Sequence, residues 1–132
     1  MQEEEKNFKT DSIKEQEIEL VKEIPQNILD ILQKVPKDRA GLIVIKGPSI
    51  GEKFLLKKPS LFIGRRSDSD ILLDDITVSR NHAVIEKTNE GYIIKDLESL
   101  NGTYLNGEIV NKSRLNNGDR IQIGKYIFLF FS

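Results

Sequence analysis

None of the 132 residues is cysteine. No disulfide can hold this fold, and no thiolate is on hand as a nucleophile or metal ligand. Histidine occurs once, at His82, so a zinc set of histidines and cysteines is out of reach. No apolar run approaches the roughly 20 residues that a membrane helix needs. The opening MQEEEKNFKT is acidic where a secretory signal is basic and then apolar. These absences point to a cytoplasmic protein that works away from the membrane and needs no metal or cofactor. They also leave little for an enzyme. There is no metal-ligand cluster and no paired-carboxylate motif, and nothing places a nucleophile beside the lone histidine.

The charge that is present is unevenly divided. Residues 1–40 hold 10 acids and 7 bases, and residues 41–132 hold 11 acids and 13 bases. The excess of base is too slight for the dense basic stripe of a nucleic-acid binder. It does allow a weak attraction between an acidic N-terminal extension and the remainder. Residues 1–24 are charged and poor in aromatics, a composition expected to be disordered or nascent helix. From Val21 the apolar residues recur at Ile24, Ile28, Ile31 or Leu32, and Val35, with helical spacing. Pro25 fits the first turn of a helix over residues 26–34, and Pro36 ends it. Such a helix either docks on its own domain or is offered to a partner.

At Gly41 the texture changes to short β-rich runs: Leu42–Ile45, Phe54–Leu56, Leu61–Ile63, Ile71–Leu73, Ala83–Ile85, Tyr92–Ile94, Ile121–Ile123 and Ile127–Phe131. Turn signals separate them, among them Gly47-Pro48, Asn89-Glu90-Gly91, Asn106-Gly107 and Asn116 to Asp119. Many short strands at regular spacing predict an all-β sandwich over residues 41–132, preceded by an acidic tail over residues 1–40.

Three short motifs carry the chemistry. Gly64-Arg65 ends a predicted strand. The glycine permits a sharp turn, and a guanidinium on a rigid edge offers a planar fork of donors suited to phosphate oxygens. Strand alternation turns Arg66 elsewhere. Ser79-Arg80-Asn81-His82 offers a hydroxyl donor and a second cation. Asn101-Gly102-Thr103 offers an amide able to bond a peptide main chain. Each motif alone has a bland reading: a surface charge, a turn serine, a hairpin Asn-Gly. Together they supply a fixed cation, a hydroxyl and an amide on predicted loops, which is the equipment for holding a phosphate group on a peptide.

In order and spacing, these motifs resemble the signature of the forkhead-associated (FHA) domain, a phosphothreonine-binding β-sandwich. The local runs IGRRSDSDILLDD and SLNGTYLNG resemble it too. The resemblance spans residues 41–132 and implies about 11 short strands. It also implies site roles: Arg65 as principal phosphate ligand, Ser79 as a second, Arg80 as a weaker contact, and Asn101 on the ligand main chain. Gly64, His82 and Gly102 are implied to be structural supports of that site. At Leu100 the chain departs from the family, which often has a polar phosphate contact there. The whole chain resembles the small bacterial FHA regulators whose N-terminal tail is phosphorylated, although their doubled-threonine motif is missing.

That likeness makes Thr10, the only threonine before residue 77, the expected regulatory phosphorylation site, with Ile13 three residues after it. It implies a monomer that binds a phosphothreonine-containing protein or its own phosphorylated tail. A Ser/Thr protein kinase and enzymes of 2-oxoglutarate and glutamate metabolism are the implied partners. The competing reading is a simple adaptor that recruits phosphorylated proteins with no role for the tail.

Overall fold

A computed structural model describes residues 25–35 and 39–132. Thr10, the rest of the expected tail over residues 1–24, and Pro36 lie outside the described residues.

Eleven strands form two sheets: β1 (Gly41–Lys46), β2 (Lys53–Leu55), β3 (Ser60–Gly64), β4 (Ile71–Leu72), β5 (Ala83–Thr88), β6 (Gly91–Asp96), β7 (Thr103–Leu105), β8 (Glu108–Val110), β9 (Lys112–Arg114), β10 (Arg120–Ile123) and β11 (Tyr126–Phe131). One sheet has the order β2-β1-β11-β10-β7-β8 and the other β4-β3-β5-β6-β9. Among the described residues only β3 and β4 pair in parallel. The all-β sandwich expected from the sequence is therefore the fold.

Period-two alternation builds the core. Leu42, Val44, Ile121, Ile123, Phe128 and Phe130 of the first sheet meet Leu61, Ile63, Ala83, Ile85 and Ile94 of the second. β1 is buried at four successive positions, Gly41 to Val44, because its other face is covered as well. Ile43 pairs with Leu129 across β1 and β11. The helix α1 (Gln26–Gln33) packs Ile28 onto both, with no exposure at Ile28. Leu29, Ile31, Leu32, Ile45 and Phe131 complete this second cluster. Burying one such isoleucine is worth about 1.5–3 kcal/mol, and a helix this short is marginal without packing. Pro25 stands just before the first turn rather than within it. Its carbonyl accepts from the N–H groups of Ile28 and Leu29.

The apolar-run reading missed β7, β8 and β9, three-residue strands with mixed polarity. The Asn106-Gly107 turn is where the sequence put it, a two-residue hairpin between β7 and β8 with positive φ at both residues. Asn101-Gly102 is not a hairpin. It lies in the passage from β6 in one sheet to β7 in the other. That crossing brings the β6–β7 loop to the same end of the sandwich as the β4–β5 loop and the β10–β11 turn.

Candidate functional site

β3 ends at Gly64 against the backbone of the β4–β5 loop. A Cβ on Gly64 would lie 2.1 Å from the carbonyl oxygen of Arg80 and 3.2 Å from that of Ser79. The sequence reading gave this glycine a turning role, but its φ is not positive. Glycine is needed because two main chains touch. The contact continues where the N–H of Arg65 donates to Ser79 O at 3.1 Å. Arg65 Nε donates to Val78 O at 3.0 Å. That bond fixes the plane of the guanidinium, and among the described residues its two terminal nitrogens have no partner. Arg66 is occupied instead, with Nε and Nη2 both on the Asp68 carboxylate at 3.0 Å. Arg80 is exposed, and its side chain has no partner among the described residues.

His82 is fully buried and joins two loops. Its Nδ1 accepts from the N–H of Ser79 at 3.0 Å. The hydrogen is therefore on Nε2, which donates to Gly102 O at 2.9 Å. The main chain of His82 adds two more ties, donating to Ile63 O and accepting from Leu97 N–H. Both ring nitrogens are thus committed to backbone.

Ser79 closes the same seam. Its Oγ accepts from the N–H of Leu100 at 2.9 Å, which leaves the hydroxyl hydrogen without an acceptor among the described residues and able to donate outward. Leu100, at 89% exposure, contributes to the seam only through its backbone. Asn101 Nδ2 donates to Thr77 O at 3.0 Å. Gly102 has φ +87 and donates its N–H to Ser99 Oγ, so the turn needs a residue at home in the left-handed region. The site residues expected from the sequence thus fall on one connected rim, with Gly64, His82 and Gly102 beneath Arg65, Ser79 and Asn101.

Two acidic anchors went unnoticed in the sequence. Asp96 accepts from the N–H and hydroxyl of Ser99 and from the buried Thr103 hydroxyl. Asp75 accepts from the N–H and hydroxyl of Thr77. Asp-x-Thr and Asp-x-x-Ser are local turn patterns in which a carboxylate caps backbone a few residues on. That spacing was the available signal. Beside Asn101 lies a pocket of about 330 Å³, lined also by Thr77, Tyr104, Gln122, Gly124 and Lys125. Among the described residues, no group of three or more histidines or acids could hold a metal ion.

Burial pushes the Asp96 carboxyl up, but the hydrogen bonds from Ser99 and Thr103 outweigh it and hold the group below its ordinary value. The bonds from Thr77 lower Asp75, and the bonds from Lys58 and the Phe62 N–H lower Asp70. A carboxylate depressed in the fold stabilises it above the unfolded value of about 3.9, and that contribution fades as pH falls through the folded value. The melting temperature should be level above about pH 5 and fall below about pH 4. Asp96→Asn should melt lower at neutral pH and show a shallower acid decline. An acid decline as steep in Asp96→Asn as in the wild type would remove Asp96 from this account.

Residues 61–124 match the family described as the FHA domain. The chain is 46% identical over 101 residues to the oxoglutarate dehydrogenase inhibitor of Corynebacterium jeikeium, a match covering 76% of this chain and 70% of that one. It is 45% identical over 101 residues to the glycogen accumulation regulator GarA of Mycolicibacterium smegmatis, covering 76% of this chain and 64% of the relative. Among solved structures, EmbR of Mycobacterium tuberculosis in complex with a low-affinity phosphopeptide is 34% identical, with a TM-score of 0.67 over 80% of this chain and 29% of EmbR.

Proposed function

The chain belongs to the FHA domain family, and from that premise we propose that its loop rim grips a phosphothreonine in a partner or in its own N-terminal segment. It acts as a signalling regulator of the phosphothreonine-binding kind and not as an enzyme. The observation that carries this is the state of the rim. Among the described residues, Arg65 is fixed through Nε with its terminal nitrogens open, and the Ser79 hydroxyl hydrogen and the Asn101 amide oxygen are likewise uncommitted. Two donors suited to phosphate oxygens stand beside an acceptor suited to a peptide N–H. Arg80 adds a second cation. No group in the rim is set up to move a proton or attack phosphorus.

The likeness to a corynebacterial oxoglutarate dehydrogenase inhibitor supports an enzyme of 2-oxoglutarate metabolism as one partner. A Ser/Thr protein kinase supplies the phosphate. No helix among the described residues is long and apolar enough to cross a membrane, which is consistent with work in the cytoplasm.

In the leading form of this reading, phosphorylated Thr10 occupies the rim and closes it to other ligands. Nuclear magnetic resonance of the full chain tests it. Phosphate on Thr10 should shift the signals of Arg65, Ser79 and Asn101 and weaken binding of a phosphothreonine peptide supplied in trans. Phosphate on Ser12 alone should do so poorly, because phosphoserine lacks the methyl that a small pocket holds, a difference of about 1–3 kcal/mol. Unmoved rim signals would replace the switch with the adaptor reading. A wild-type chain that binds no phosphothreonine peptide would overturn both.

A further inference from the structure

The rim residue with the most room to be wrong is Asn101. A primary amide can present either its oxygen or its nitrogen to a ligand, and the two choices recognise opposite partners. Here the choice is made by Thr77. Its carbonyl oxygen can only accept, so the nitrogen of Asn101 must face it, 3.0 Å away, and the amide oxygen faces outward.

A backbone carbonyl is a good reference point only if it is held. Thr77 is held from several sides. Its N–H and its hydroxyl both donate to Asp75 Oδ1. Its hydroxyl oxygen accepts from the N–H of Lys125 at 3.0 Å, which ties the β10–β11 turn to the β4–β5 loop. That turn is pressed close: a Cβ on Gly124 would lie 2.3 Å from Thr77 Oγ1 and 3.0 Å from Thr77 O. Lys125 Nζ lies 4.0 Å from Asp75 Oδ2. Three loops therefore converge on one threonine. Asn101, Thr77, Gly124 and Lys125 all line the pocket beside the rim.

We propose that Asp75 and Thr77 form a positioning node that holds the Asn101 amide oxygen outward, so that this point of the site reads a ligand N–H. The proposal rests on the phosphothreonine reading above and adds residues outside the three motifs. Thr77 touches no ligand in this scheme and acts through Asn101. Removing its hydroxyl strips the Lys125 N–H of its acceptor and takes away one of the two bonds to Asp75. The carbonyl then loses its fixed place, and the amide can turn.

The test measures affinity of the full chain for a phosphothreonine peptide selected from a randomised library against the wild type. Thr77→Val should bind about tenfold more weakly, equivalent to about 1.4 kcal/mol. Thr77→Ser, which keeps the hydroxyl, should restore wild-type affinity. Thr77→Val combined with Asn101→Ala should bind no more weakly than Asn101→Ala alone, because a group that acts only through Asn101 has nothing left to position. Additive losses, or wild-type affinity in Thr77→Val, overturn the node. The wild type gives a readout independent of any variant's folding. The Asn101 side-chain N–H signals should be protected from exchange before ligand is added and keep their hydrogen-bonded shifts afterwards. Signals that move to a ligand-bonded position show the nitrogen facing the peptide and also overturn it. Undiminished binding in Arg65→Ala is a different failure, because it removes the phosphate site itself rather than the node.

Discussion

Arg65→Ala is expected to abolish binding of phosphothreonine peptides while the sandwich stays folded. The side chain is exposed, and among the described residues its one hydrogen bond is from Nε to Val78 O, so the fold loses little. The complex loses the partner of a doubly charged group. Truncating one side of a desolvated, hydrogen-bonded charge pair costs about 2–5 kcal/mol, or roughly 30-fold to several thousand-fold in affinity. Arg65→Lys should recover only part of this, because an ammonium keeps the charge but has neither the fork nor the Nε bond that orients it. Ser79→Ala should cost less, about 1–3 kcal/mol. Titration calorimetry with one phosphopeptide orders the three variants, and wild-type affinity in a folded Arg65→Ala chain would end the assignment of Arg65 to the phosphate.

The second large effect is on stability. His82→Ala leaves the Ser79 N–H and the Gly102 carbonyl without the partner that now joins them, and empties a fully buried site. An unsatisfied buried group costs about 1–3 kcal/mol, and the cavity adds to it. A total of about 3 kcal/mol should lower the melting temperature of a domain this size by more than about 10 °C. Lost binding should follow, since both rim loops hang on this ring. Binding lost with an unchanged melting temperature and unchanged loop signals would instead make His82 a direct ligand contact.

Much of this was legible because the informative residues are of unusual type for where they stand. The sandwich showed itself in eight apolar runs, whose residues now form most of the core. Motif order singled out Arg65, Ser79, His82 and Asn101, which the fold brings together on adjoining loops. What escaped were elements whose reason is tertiary. β9 reads Lys-Ser-Arg and has no pattern of its own. It is a strand because β6 offers it an edge. Gly64 was read as a turn because local sequence cannot show that another main chain lies against it. Thr77 gave no local sign of its role, since the backbone N–H it holds at Lys125 is 48 positions away.

The covered outer face of β1 and β11 has a practical side. The change of texture at Gly41 invites cutting the chain there to compare the sandwich with and without its N-terminal extension. Such a fragment would bare Ile43 and Leu129 beside Ile45 and Phe131, a sticky stripe of the sort that drives association. Clumping would then masquerade as a loss or gain of ligand affinity. A fragment begun at Pro25 keeps the stripe shielded, and a difference measured with it reports on the first 24 residues alone.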